Sequence, residues 1–329
     1  MYGYEIYHDE IMKKLISAAR ENHVRQAYIF EGSKGIGKRK AARLFAAALV
    51  CENESHAPCG TCAACIGAKA DTNPDIRYIS SDKSIGVDAM REIVSDAYIK
   101  PFESKRKIYI IENGELMTEQ AQNAFLKMLE EPPEYAIFII LTVNSSLLLQ
   151  TVISRCGIIR FSPVKKEVIK KYIKEKYPEA DADFLAGYAA GNIGKADEIM
   201  QRDDFFPLRE ASLRLVLPLV SVHKISAYKA AEFMEENKEK ALEIAGFWKS
   251  MIRDILLIQN HAESLMINKD MKKELAYIAG KVSPEICVKA EDTLGRAEEM
   301  LSRYTNPNSR AVRAIALYIS FTIKKGNAV

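Results

Sequence analysis

Three short stretches of this chain hold residue types at spacings that could do chemistry. The first is Gly32-Ser33-Lys34-Gly35-Ile36-Gly37-Lys38-Arg39. Glycines at Gly32, Gly35 and Gly37 let backbone N–H groups curl round phosphate oxygens, and Lys38 stands where an ammonium would reach the outer phosphates. The eighth position of such a loop supplies a serine or threonine hydroxyl for Mg²⁺; here it is Arg39. A guanidinium cannot ligate a cation, and its charge opposes one nearby.

The second stretch is Glu112-Asn113-Gly114-Glu115, after the apolar run Lys107–Ile111. Hydrolysis needs a carboxylate for the metal and a base for the attacking water. Glu112 is one methylene longer than the aspartate usual there and would hold a metal weakly. Asn113 cannot accept a proton, and Glu115 is set aside as too far along the turn. Polar residues often end a strand without a function. Defects at Arg39 and Asn113, however, fall on the two positions that turnover needs most. They point to a phosphate loop that has lost hydrolysis and leave nucleotide binding open.

The third stretch is Cys51, Cys59, Cys62 and Cys65, a C-x7-C-x2-C-x2-C pattern. Four thiolates so spaced can close a tetrahedral, structural Zn²⁺ site, with Gly60 easing a tight knuckle. A redox Cys-x-x-Cys pair is the alternative, but no thioredoxin-like unit surrounds it. His56 is assigned to the surface, and Cys156 and Cys287 to the core as small hydrophobes.

These residues need a scaffold, and the patterning supplies one. Strand-type runs at Ala27–Phe30, Asp75–Ile79, Lys107–Ile111, Ala136–Thr142 and Ile158–Phe161 alternate with amphipathic helices. The glycine-rich loop thus follows a strand and opens a helix whose face is Ala41, Leu44, Phe45 and Ala48. Val87–Tyr98 reads as a helix, and another starts at a Thr118 cap and stops before Pro132-Pro133. This is an α/β domain with a largely parallel sheet. After Pro163 the strand signals vanish, and a last helix, led in by Asn306-Pro307-Asn308-Ser309, carries Val312, Ile315, Ile319 and Ile323 on one side. The expected division is a base over residues 1–162 with the cysteine module at 51–65, a small helical lid over 163–205, and a helical region over 206–329.

Asn123 to Pro133, with its Leu129-Glu130-Glu131-Pro132-Pro133 ending, followed by a strand and then Ser154-Arg155-Cys156, resembles the clamp-loader branch of AAA+ proteins. The resemblance covers the first two hundred residues well and the helical remainder more loosely. It implies an AAA+ P-loop base with a zinc-binding insertion, a lid, and an oligomerisation collar within a pentameric ring. Arg155 would be an arginine finger serving the ATP site of the adjacent subunit, where a guanidinium offsets charge developing on the γ-phosphate. Partners would be the motor (tau/gamma) and delta subunits of the bacterial DNA polymerase III loader, with the sliding clamp and primed DNA met through the complex. Lys195 stands where motor subunits present a sensor arginine, and Thr142–Asn144 overlaps the first sensor without a residue role being assigned.

With Arg39 and Asn113, the resemblance is to the non-hydrolysing, delta-prime type of member. An ATP-hydrolysing motor subunit is the alternative. A DNA-binding adaptor is disfavoured, because no helix-turn-helix or strongly basic domain is appended. Net charge is only +3, so any nucleic-acid contact must be local. The runs Lys105-Arg106-Lys107 and Lys165-Lys166, Lys170-Lys171, Lys174 are read as solvated faces, without the interleaved aromatics that stack bases. The first seventeen residues, with His8, Asp9, Glu10, Lys13 and Lys14, do not read as a signal peptide. No apolar run is long enough to span a bilayer, so a cytoplasmic protein is expected.

Overall fold

A computed structural model describes residues 8–220, 224–302 and 309–324. The first seven residues and the Asn306-Pro307-Asn308 lead-in lie outside the described residues. Five strands form one sheet: β1 (Ala27–Glu31), β2 (Ile76–Ile79), β3 (Lys107–Ile111), β4 (Ala136–Thr142) and β5 (Gly157–Arg160). Their order is β2-β3-β4-β1-β5 and every pair is parallel. β3 and β4 are buried along their whole length, which is why they read as unbroken apolar runs rather than alternating ones. Ile29 pairs with Ile140, and Ile110 with Ile139, across the middle of the sheet.

Five helices flank this sheet and its loops: α1 (Asp9–Arg20), α2 (Lys38–Leu49), α3 (Ala63–Ala70), α4 (Val87–Ala97) and α5 (Glu119–Glu130). Thr118 caps α5 as its side chain accepts from Ala121 N. α4 and α5 bury Met90, Ile93, Phe125 and Met128 against β3 and β4 in one core. The expected second strand starts one residue late, at Ile76, although Asp75 O still accepts Ile108 N at 2.7 Å, and the Asp75 side chain has a task of its own. Its carboxylate accepts the N–H groups of Phe102, Glu103 and Ser104 at 2.6, 2.9 and 2.7 Å. Burial alone would push that carboxyl up, but the three N–H donors outweigh burial and hold it below its usual range.

The chain divides into two compact units, one of residues 1–182 with 189–197, the other of 183–188 with 198–329. Every described element from Lys166 onward is helical, as expected. The second unit has its own core, in which Trp248 is fully buried and donates from Nε1 to Ser212 O at 3.0 Å. Arg209, also buried there, stacks over Phe184 at 3.8 Å and is held by Asp270 and Asn268. No described helix is long and apolar enough to cross a membrane.

Candidate functional site

β1 delivers the glycine-rich loop to the carboxyl end of the sheet, where Gly32 N donates to Thr142 O at 3.1 Å. Gly35 and Gly37 both have positive φ (78° and 106°), and Gly37 is the N-cap of α2. Lys38 folds back on the loop, donating to the carbonyls of Gly32 and of Ser33, the latter at 2.9 Å. Burial pushes its ammonium below the usual lysine range, partly countered by the nearby Glu115 charge. A cavity of about 380 Å³ opens beside it, lined by Lys38, Arg39, Glu112, Glu115, Thr142 and Asp197 among others.

Arg39, read from sequence as a lost ligand, and Glu112, read as a weak one, form one ion pair at 2.8 Å. Glu112 is 15% exposed at the end of β3, and Arg39 is 61% exposed on the first turn of α2. Burial pushes the Glu112 carboxyl up, and Arg39 and Arg43 pull it back only in part, so the net shift is upward. The guanidinium therefore occupies the electrostatic role a divalent ion would have beside this carboxylate. Unit charges about 4 Å apart interact by about 4 kcal/mol at an effective dielectric of about 20. A divalent ion arriving there meets repulsion from the guanidinium, with no hydroxyl at position 39 to help Glu112 hold it.

Asn113 adopts left-handed backbone angles (φ 53°, ψ 51°) and donates from Nδ2 to Ser81 O at 3.3 Å. Asparagine tolerates that conformation better than most residues. The position thus has a backbone reason for its residue as well as a chemical defect. Glu115, set aside from sequence, turns back to the cavity through the single turn Gly114–Leu116 and accepts Val143 N at 3.3 Å. A Cβ at Gly114 would overlap Ile140, so the turn lies close against β4. Strand-end spacing carries no signal for that reversal.

Asn192 closes the other side of the loop. Its Nδ2 donates to Lys34 O at 2.7 Å, its Oδ1 accepts Lys195 N at 3.0 Å, and Gly194 N donates to Gly35 O at 2.9 Å. A Cβ on Gly35 would overlap the Asn192 side chain. Asp197 adds a carboxylate to the cavity, held by Tyr172, Tyr177 and Lys176 at 2.7, 3.1 and 2.8 Å. Burial raises its pKa, and Lys176 and Tyr172 more than reverse that, leaving it below the usual range. Thr142, in the sensor stretch, is buried and donates to Asn144 O at 3.1 Å.

Arg155 stands apart from this cavity. The loop leaves the carboxyl end of β1, whereas Arg155 precedes the amino end of β5, its parallel neighbour. At about 3.3 Å per residue, the five-residue strand puts the two roughly 15 Å apart along the sheet. Arg155 cannot serve its own loop. It is 33% exposed, donates to Thr151 O at 2.8 Å and pairs with Glu130 at 2.5 Å.

The ligand atoms of Cys51, Cys59, Cys62 and Cys65 all lie within 4.8 Å of one another, beside α3. Sγ of Cys59 and Cys65 are 3.9 Å apart, near the roughly 3.8 Å edge of a tetrahedron with Zn–S bonds of about 2.3 Å. Backbone N–H groups of Cys59, Cys62 and Cys65 point at Sγ of Cys51, Cys59 and Cys62, each at 3.4 Å. Such bonds stabilise thiolates, so the four residues fit a closed metal site. Exposed His56 instead contacts Ser55 Oγ through Nδ1. Cys156 and Cys287 are buried, and burial pushes their thiols up to about 12 and about 11.

The run Lys105-Arg106-Lys107 departs from the solvated face expected of it. Lys105 pairs with Glu54 at 2.6 Å, Arg106 with Asn22, and buried Lys107 with Asp96 at 3.0 Å. Lys165, Lys166, Lys171 and Lys174 are exposed on or beside the helix Lys166–Lys176.

Residues 7–165 match the family model described as DNA polymerase III, delta subunit. Subunit delta' of DNA polymerase III from Bacillus subtilis is 30% identical over 79% of this chain and 80% of its own length. Subunit tau from the same organism is 29% identical over 76% of this chain but 48% of its own length. A DNA polymerase III gamma subunit-related protein from Thermotoga maritima superposes with a TM-score of 0.44 at 20% identity, covering 94% of this chain and 99% of that one.

The Arg39–Glu112 pair makes a pH-dependent prediction. A carboxyl whose folded pKa is raised contributes stability that is fully present below its unfolded value and lost as pH rises through the folded value. Arg39→Ala removes the charge that limits this rise, so the loss at neutral pH grows. Denaturant unfolding should show the variant less stable by about 1 kcal/mol at pH 7, the gap narrowing toward pH 4. A gap independent of pH would contradict the pairing.

Proposed function

The chain belongs to the family of the DNA polymerase III delta-prime subunit, and from that premise we propose that it is a non-hydrolysing clamp-loader subunit. The observation that carries this reading is the Arg39–Glu112 ion pair, which puts a tethered cation where a hydrolysing site needs Mg²⁺. Asn113 removes the base, and Lys38 and Asn192 are bonded to the loop's own carbonyls. In this reading Gly32, Gly35, Gly37 and Lys38 keep the form of a nucleotide loop without its turnover.

Arg155 then acts in trans, as the finger for an ATP site on a neighbouring motor subunit of the tau/gamma type. Its position at the opposite end of the sheet from its own loop supports that role. The base over 1–162 and the lid over 163–205 present these groups, and the helical region over 206–329 forms the collar that joins motor and delta subunits. Sliding clamp and primed DNA are reached through the assembled cytoplasmic complex. The four cysteines hold a structural Zn²⁺ that ties the segment after α2 to α3, and no step of the work passes through it. The similarity to tau leaves a motor subunit as the second reading, against which Arg39, Asn113 and Lys195 all weigh.

Two measurements test this. Metal analysis of the purified chain should find about one equivalent of zinc, and Cys65→Ser should lose it together with thermal stability. A metal-free protein of undiminished stability would remove the zinc assignment. In a loader reconstituted with motor and delta subunits, Arg155→Ala should lower clamp- and DNA-stimulated ATP hydrolysis without preventing assembly. An arginine finger is worth about 10³-fold or more at the single site it serves, so that site's share should vanish. Unchanged hydrolysis would remove the finger.

A further inference from the structure

Glu130 and Arg155 lie 25 residues apart and belong to two segments that look independent in sequence. In the fold they meet. Nη2 of Arg155 donates to Glu130 Oε1 at 2.5 Å, while Nη1 donates to Thr151 O at 2.8 Å and Ser154 Oγ at 3.3 Å. The guanidinium is thereby fixed at both ends of its fork. Glu130 is itself fixed, as the last residue of α5, whose continuation Pro132 and Pro133 forbid. Pro133 O accepts Gln26 Nε2 at 3.5 Å, and Gln26 O accepts Phe138 N at 2.8 Å, which ties the turn to β4. On the other side, buried Cys156 anchors the backbone next to Arg155.

Glu130 and Arg155 line a cavity of about 270 Å³ together with Arg25, Gln26 and Pro132. We infer that Glu130 is a positioning residue for Arg155, holding its guanidinium aimed out of this cavity before a neighbouring subunit's phosphate arrives. This rests on the trans-acting role proposed for Arg155. The physical ground is conformational. Arginine has many rotamers, and fixing them in advance removes a cost that docking would otherwise carry. The carboxylate does not keep the guanidinium, because Glu130 is 50% exposed and an ion pair between such groups is weak. An incoming γ-phosphate, with more charge and three acceptor oxygens, displaces it or adds to it. What Glu130 contributes is direction.

The test compares Glu130→Ala, Glu130→Gln, Arg155→Ala and the Glu130→Ala/Arg155→Ala double variant in the reconstituted loader, with assembly followed by gel filtration. The hydrolysis lost with Arg155→Ala defines the finger's share. Glu130→Ala should cut that share about 2- to 10-fold, the scale of immobilising one flexible side chain, through kcat with KM for ATP unchanged. Glu130→Gln, whose amide oxygen still accepts, should recover part of it. The double variant should lose no more than Arg155→Ala alone, since one residue acts through the other. A share left intact or raised by Glu130→Ala, or losses that add in the double variant, would overturn the positioning role while leaving the finger standing. Unchanged hydrolysis in Arg155→Ala would remove the finger, and the role of Glu130 with it.

Discussion

Glu112 is a carboxylate that the fold has taken out of water at the end of β3, and Arg39 is the charge that makes this tolerable. A phosphate-loop sheet brings the start of α2 and the end of β3 together so that a hydroxyl and a carboxylate can share a metal ion. When the hydroxyl position holds arginine, the same geometry makes an ion pair instead. The cavity keeps its walls and its lysines, yet several of its charged groups have partners within the fold. Arg39 answers Glu112, Lys38 answers the loop carbonyls, and Tyr172, Tyr177 and Lys176 hold Asp197. The arrangement is self-contained where a hydrolysing site would be open to a metal.

The parallel sheet also separates two kinds of chemistry. Everything at the carboxyl ends of the strands belongs to the loop and its internal pairs. Arg155 and Glu130 sit at the amino ends, where the sheet presents them outward. That polarity follows from strand direction alone, and it puts Arg155 out of reach of its own loop. The cysteine cluster follows the end of α2, and Glu54 within its segment pairs with Lys105 just before β3. Its four thiolates suit a structural metal better than a reactive one.

Much of this was legible in the residues. Five runs predict the five strands to within one residue at each end; β3 and β4, buried along their whole length, are met at both ends because they leave no alternation to misread. Arg39 and Asn113 announce themselves because the loop motif assigns a chemical task to each position. What could not be read was pairing in space. No spacing rule says that Arg39 bonds Glu112, that Asn192 reaches back across more than 150 residues to Lys34, or that Glu115 turns into the cavity. Nor does any spacing rule say that the Asp75 carboxylate gathers three backbone N–H groups from residues 102–104. Side-chain contacts between distant segments depend on packing, and packing leaves no period in the chain.

In the proposed reading a tethered cation has replaced the metal and ended turnover. ATP hydrolysis by the isolated chain, with saturating Mg²⁺ and nucleotide, tests it most directly. Hydrolysis no faster than the uncatalysed background is expected. Turnover above about one per second, the slow end of ordinary enzymes, would contradict it.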